Sequence, residues 1–350
     1  MKKSLILLFC ILFLVACNKK EEPIIEPKPP IIRENSEELL AYGNTLTNIN
    51  GSIPVVETKE YIYYRFQGSS LLKINRNDLK DVTVFYENEN ETEITNLAYY
   101  DGYLYFIDRN ADEQIAQLNR ILIDNPEKET LTDVDYYDNI LVIIEENLYY
   151  VNTNSYFEKS NLDGTKPQLF GYTMIMHPSF DGNYFFGAGY DINSSDERLR
   201  IYKTDYLNDQ SSIFYDNTVA SFVVPNPHGY AVFENSGAQF IFHVSNKDAL
   251  AFELQEHYLN RPFTKEALGN YYGSYIEEDT YYEYNPETNT FQIADNTSEY
   301  YSVWKAYALG TPTTEFVLFE TASGVLYYHE YDSKEAFQLF PVLVEEEENK

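Results

Sequence analysis

Cysteine is nearly absent from this 350-residue chain: there are two, Cys10 and Cys17. Once Cys10 is lost with the leader proposed below and Cys17 is capped, disulfides, zinc–thiolate centres and cysteine nucleophiles are excluded together. Long hydrophobic runs are also scarce. Ser4 to Val15 is almost wholly apolar and uncharged, but at about 12 residues it falls short of the roughly 20 that a bilayer-spanning helix needs. Basic residues are few, with 25 Lys and Arg against 56 Asp and Glu, for a formal charge of −31. Such a surface repels phosphate backbones and anionic headgroups, so nucleic acid is not an expected partner. Long helical periodicity is missing after the leader. No G-x-S-x-G elbow, P-loop, dinucleotide fingerprint or H-E-x-x-H pair occurs.

The N-terminus has a positive start, Met1-Lys2-Lys3, then the short apolar run, then Leu14-Val15-Ala16-Cys17. That order is the layout of a secretory signal. The last four residues resemble the lipobox of bacterial lipoproteins. In that motif small residues let the peptidase reach the backbone, and the cysteine thiol takes the diacylglycerol. The resemblance implies a signal peptide over residues 1–16 and lipidation at Cys17. The chain would then be held by its acyl groups, palmitate among them, at the bacterial cell envelope outside the cytoplasm, with the cell surface as one location. Several acyl chains on one residue supply the strength that stable anchoring needs. Removing Lys2 and Lys3 with the leader takes the charge from −31 to −33. Residues 17–42 then read as a tether. Pro23, Pro27, Pro29 and Pro30 keep it extended, and Lys20-Glu21-Glu22 reads either as a solvated spacer or as a surface-export signal. Residues 344–350 form an acidic tail.

Between these lies a domain over residues 43–343, rich in Tyr (34 in the chain) and Phe (22), with short apolar runs punctuated by Gly, Asn and Asp. This composition favours strands. Strand-like pairs recur, beginning with YIYYRF (61–66) and YLYFID (103–108). Taking Ile62, Leu104, Leu148, Tyr184, Ala231, Tyr272 and Phe316 as equivalent gives spacings of 42, 44, 36, 47, 41 and 44. That is the period of a propeller blade. Asp101-Gly102, Asp163-Gly164, Asp181-Gly182 and His228-Gly229 supply the tight turns. The expected fold is all-β, a single β-propeller with seven blades favoured and six as the alternative. Residues 46–56 are expected to lend a strand to the last blade and so close the ring.

Asp101-Gly102-Tyr103-Leu104-Tyr105-Phe106 with Leu118-Asn119-Arg120, Tyr61-Ile62-Tyr63-Tyr64 with Leu72-Lys73-Ile74, and Leu148-Tyr149-Tyr150 with Asn161-Leu162-Asp163-Gly164 carry a further likeness. They resemble an uncharacterised bacterial lipoprotein family whose β-propeller is similar to that of low-density-lipoprotein-receptor-related proteins. The resemblance covers residues 43–215 and implies a propeller, six-bladed in many relatives. It brings no catalytic residue.

Chemistry-bearing clusters are sparse. Asp108, Asn110 and Asp112 begin like a calcium loop, but Glu113 and Asn119 stand where an EF-hand needs Gly and Glu. Asp191, Asn193 and Asp196 are a looser set. No metal or cofactor is expected. No two of His177, His228, His243, His257 and His329 have the H-E-x-x-H spacing, and His228 and His243 are read as structural. Tyr190, Tyr206 and Trp304 are the candidate ligand contacts, taken as solvent-facing loop aromatics. The function expected is a non-catalytic binding or scaffold module for a protein or glycan ligand, bound where blade loops converge. The alternatives are a carboxylate-dependent enzyme acting on glycans or peptides, and a structural subunit of an envelope complex.

Overall fold

The computed structural model describes residues 49–50, 55–88, 92–191, 199–216, 220–226, 229–236, 239–246, 255–259, 274–277, 280–285, 290–293, 311–312, 316–320, 324–330 and 336–341. The expected signal peptide and tether therefore lie outside the described residues, as does Tyr272.

The described strands form antiparallel meanders in chain order. Unit one is β1 (Val55–Glu57), β2 (Tyr61–Phe66), β3 (Ser70–Asn75) and β4 (Asp78–Glu87). Unit two is β5 (Glu93–Tyr100), β6 (Tyr103–Asn110), β7 (Ile115–Leu122) and β8 (Asn125–Val134). Units three and four share one strand. Unit three is β9 (Val142–Ile144), β10 (Asn147–Val151), β11 (Tyr156–Asn161) and the start of β12 (Gln168–Phe180). Unit four is the end of β12, then β13 (Tyr184–Asp191), β14 (Arg200–Asp205) and β15 (Gln210–Tyr215). Unit five is β16 (Ala220–Asn226), β17 (Gly229–Ser236), β18 (Gln239–Asn246) and β19 (Gln255–Leu259). Three described strands belong to unit six: β20 (Ser274–Glu277), β21 (Thr280–Asn285) and β22 (Thr290–Ile293). Unit seven is β23 (Thr311–Pro312), β24 (Phe316–Glu320), β25 (Leu326–Glu330) and β26 (Ala336–Phe340).

Among the described side chains, units one to five pack face to face in succession, which is why both faces of their inner strands are apolar. Val56, Tyr63 and Leu71 of unit one meet Leu97, Leu104 and Phe106 of unit two. Tyr105, Ile107 and Leu118 then meet Ile143, Leu148 and Tyr150 of unit three. Tyr149, Phe157 and Phe170 meet Phe180 and Phe185 of unit four. Phe186 and Ile201 meet Val223 of unit five. The circuit closes where Ile62, Tyr64 and Leu72 bury against Phe316, Leu318 and Leu326 of unit seven. Phe66 and Phe340 meet edge to face at 5.2 Å across the same seam. The chain is an all-β propeller. Its closure differs from the sequence expectation: β1 pairs with β2 of its own unit rather than with the last one. Side-chain burial between the first and last sheets, rather than a lent strand, removes the open face.

Six of the seven repeat positions fall on second strands of their units, on β2, β6, β10, β13, β17 and β24. In unit four the register corrects the phase by one residue. A basic residue of the third strand faces Tyr63, Tyr105, Tyr149 and Phe186 in turn: Lys73, Arg120, Lys159 and Lys203. Phe185, not Tyr184, is therefore the counterpart of Ile62, Leu104 and Leu148.

That basic residue explains the repeat's Lys/Arg. Lys73 lies over Tyr61 at 3.9 Å, Arg120 over Tyr103 at 4.8 Å and Lys203 over Tyr184 at 4.9 Å. Each cation rides on the aromatic that opens its own second strand. Two of these residues also reach the next unit's last hairpin. Arg120 Nη1 donates to Leu162 O at 3.2 Å, and Lys159 Nζ to Asp209 at 3.0 Å. In unit three Asn147 replaces the tyrosine, and Lys159 lies 5.9 Å from the Phe170 ring instead. Beside it the Tyr149 hydroxyl is pushed up to about 12, first by burial and then by the charge of Asp209.

Ile49 and Asn50 precede unit one yet dock on units three and four. Ile49 is buried with Ile140, Val142 and Phe180. Asn50, 2 % exposed, donates from Nδ2 to Phe180 O and accepts from Phe180 N on Oδ1, both at 2.6 Å. Five residues later the chain is in β1, so its entry passes from the innermost strand of unit four to that of unit one.

Candidate functional site

Antiparallel meanders put second-to-third turns and unit-to-unit loops at one end of the strands, and the remaining turns at the other. The sequence-predicted residues fall mostly at the first end, but the structure uses them differently. Asp108, at the end of β6, is 7 % exposed. Its carboxylate accepts from Asn88 Nδ2 at 2.8 Å, from Thr92 Oγ1 and from Lys128 Nζ at 3.0 Å. Burial alone would lower the Lys128 ammonium's pKa, but the bond and charge of Asp108 raise it above the ordinary lysine value. Asn110 Oδ1 accepts from the backbone of Asp112 and Glu113, a turn cap. Asp108 is thus turned inward onto Asn88 and Lys128, away from Asp112. Among the described residues no group of three or more His, Cys, Asp or Glu is placed to hold a metal ion.

Tyr206 is a correction. It is 6 % exposed and packs on Phe180 at 6.3 Å. Asp205 caps its turn, accepting from Leu207 N at 2.9 Å, so Leu207 faces solvent at 51 % and Tyr206 turns into the core. Tyr190, on β13, is 38 % exposed. Asp191 ends the same strand. Cys17, Leu14, Val15, Ala16, Trp304, Asn193, Asp196 and His228 lie outside the described residues. His243, His257 and His329 stand on β18, β19 and β25.

The best-formed constellation at this end is the loop Asp135–Asn139, which links β8 to β9. Asp135 is 9 % exposed and fixes the loop from both carboxylate oxygens. Oδ1 accepts from Tyr137 N at 2.8 Å and Asp138 N at 2.9 Å, and Oδ2 from Ser155 Oγ at 2.8 Å. Asn139 Nδ2 donates to Tyr136 O at 3.2 Å, while its buried Oδ1 accepts from no described donor. Asp138 Oδ1 accepts from His177 N at 2.6 Å and lies 3.3 Å from His177 Nδ1. His177 sits at a bulge of β12, with φ +51°, and its side chain is 54 % exposed.

The result is a rigid pedestal for two tyrosines. Tyr136 and Tyr137 meet edge to face at 4.9 Å. The Arg109 guanidinium covers Tyr136 at 4.8 Å, while Tyr137 is 70 % exposed, the highest value among the described large hydrophobic side chains. Arg109 in turn shares Glu93 with Arg65, at 3.8 Å and 3.1 Å. A continuous line of contacts therefore runs from unit one to unit four. Sequence reasoning passed over this loop. Its signal was Asp133-Val134-Asp135-Tyr136-Tyr137-Asp138-Asn139, where adjacent tyrosines break strand alternation between carboxylates able to cap a turn.

No family model matches the chain, and no curated protein does. Solved structures similar to it share very little sequence. The Dos1 propeller is 8 % identical, with a TM-score of 0.43, over 80 % of this chain and 81 % of that one. A nidogen/laminin complex is 11 % identical, with a TM-score of 0.39, over 79 % and 92 %. TolB from Acinetobacter baumannii is 8 % identical, with a TM-score of 0.40, over 80 % and 62 %.

Proposed function

We propose that this chain is a lipid-anchored envelope protein whose seven-bladed propeller is a non-catalytic binding or scaffold module. Residues 1–16 would be removed and Cys17 acylated, with residues 17–42 as the spacer. The observation that carries the binding role is the Asp135–Asn139 loop, in which a buried carboxylate immobilises an exposed tyrosine. Holding a large ring rigid before contact lowers the entropy lost on binding, and exposed Tyr and Arg are the side chains that dominate interfaces. The buried acids nearby, Asp108 and Asp135, are already engaged by protein donors.

The test is a combined peptide and glycan array probed with the full chain and with Tyr137→Ala. Retention of one ligand class by the parent and its loss in the variant is the expected result. A blank array for the parent overturns the reading. The anchor is tested separately: Cys17→Ser should leave the membrane fraction, and continued membrane retention would refute lipidation.

A second reading, a carboxylate-dependent enzyme acting on glycans or peptides, is favoured by one contact, Asp138 Oδ1 against His177 Nδ1 at 3.3 Å. Such a pair orients an imidazole as a general base. Turnover of any array ligand that His177→Ala abolishes would establish this second reading over the first.

A further inference from the structure

Resting on the binding-module reading, we infer that the surface around Tyr137 takes a polypeptide segment carrying exposed lysine or arginine. Two features point to a cation, and a third asks for a donor. The first is the way this fold uses its aromatics. Lys73, Arg120, Lys203 and Arg109 each lie within 5 Å of a tyrosine ring centroid. Tyr137 contacts the last of these rings edge-on, is 70 % exposed, and has no described cation on it. A ligand guanidinium or ammonium would repeat on Tyr137 what Arg109 does on Tyr136.

The second feature is charge. The chain carries −31, and Asp133 and Asp138 flank the tyrosine pair. Arg65 and Arg109 against Glu93 leave one positive charge, whereas Asp133, Asp135 and Asp138 carry three negative ones, so the formal local charge stays negative. Such a field raises the local concentration of cations and speeds their association. A neutral sugar gains nothing from it, and an acidic ligand is repelled.

The third feature is Asn139 in the same loop. It is 8 % exposed, and its Oδ1 accepts from no described donor. A buried acceptor left unpaired is costly. The oxygen is itself enclosed, so a ligand donor reaches it only if the loop shifts, and ammonium and guanidinium groups, which carry only donors, are among the groups that would then satisfy it.

The experiment uses the full chain in detergent with fluorescein-labelled octalysine, labelled octaglutamate, and chitohexaose as a neutral competitor. Octalysine should bind, and binding should weaken as salt is raised. Tyr137→Ala should weaken it by about 3- to 30-fold, while Tyr137→Phe keeps it within about twofold, since both rings present a π face. Both variants should melt with the parent, because the ring is exposed. Octalysine binding that Tyr137→Ala leaves untouched overturns the inference, for it would then be attraction to net charge alone. Absence of octalysine binding overturns it as well. If chitohexaose binds instead, this inference falls and the binding-module reading stands. A blank array, by contrast, removes the reading on which both rest.

Discussion

Replacing Asn50 by alanine should destabilise the whole propeller, although Asn50 belongs to no strand. Its amide makes two bonds to the Phe180 backbone, at 2.6 Å each, with Asn50 2 % and Phe180 1 % exposed. Water cannot readily take over either bond. Truncation leaves one N–H and one C=O unpaired in the interior, each costing about 1–3 kcal/mol, so the sum is roughly 2–6 kcal/mol. For a domain of about 300 residues that corresponds to a fall in Tm of roughly 3–10 °C. Asn50→Asp should be no better, because it keeps the acceptor for Phe180 N–H but loses the donor and buries a charge. Thermal unfolding followed by near-ultraviolet circular dichroism measures the effect. Chemical denaturation with an unchanged m-value separates lost stability from altered compactness. A loss below about 0.5 kcal/mol for Asn50→Ala would mean the clamp is incidental and would refute the reasoning.

Alkaline pH should weaken the fold through buried tyrosines. Burial raises Tyr63, Tyr149 and Tyr150 above their ordinary value near 10, with Tyr149 at about 12. Their contribution is complete below pH 10, where both states are protonated, and is lost above it as the unfolded chain ionises first, at up to about 1.4 kcal/mol per pH unit for each group. Tm measured from pH 8 to 11 should therefore fall, and a flat profile would contradict the burial. Gly171→Ala should cost about 2–4 kcal/mol, because φ is +78° and the new Cβ would meet Ser211 Oγ at 2.7 Å and Thr204 Cγ2 at 3.0 Å. Gly68→Ala, with φ +79° but open space around it, should cost only the backbone strain, about 1–2 kcal/mol, and equal losses at the two sites would remove the steric argument. A double-mutant cycle on Lys159 and Asp209 should give a coupling of about 0.3–1 kcal/mol that declines with salt, since both side chains are partly exposed, and zero coupling would make the contact ornamental.

The strands were legible because their physics is local. Tyr103-Leu104-Tyr105-Phe106 is apolar on both faces, and only a sheet packed on two sides accepts that. The spacing between such runs then revealed the repeat. What was illegible depends on groups far apart in sequence. Lys73 and Arg120 stood out as a motif, but that Arg120 reaches Leu162 follows only from blade packing. Tyr206 read as a loop aromatic because Thr204-Asp205-Tyr206-Leu207-Asn208-Asp209 is turn chemistry. Which of Tyr206 and Leu207 turns inward depends on the Asp205 cap and on space beside Phe180. Asp108 resembled a calcium ligand because spacing shows which residues are near in sequence, not which way a carboxylate faces. The Tyr137 platform was missed for the opposite reason. In a chain of net charge −31 its acids do not stand out, whereas Asp135 acts as a buried clamp.

The shared strand β12 bears on ancestry. A propeller grows by copying whole units, and copying is simplest where one unit's last strand and the next one's first are separate pieces joined by a loop, as at β8 and β9. Between units three and four the two roles are carried by the continuous strand Gln168–Phe180. A duplication or recombination that cut there would leave one unit without its outer strand or the other without its inner one. Units three and four should therefore be inherited as a pair, and relatives that have gained or lost a blade should have done so elsewhere in the ring.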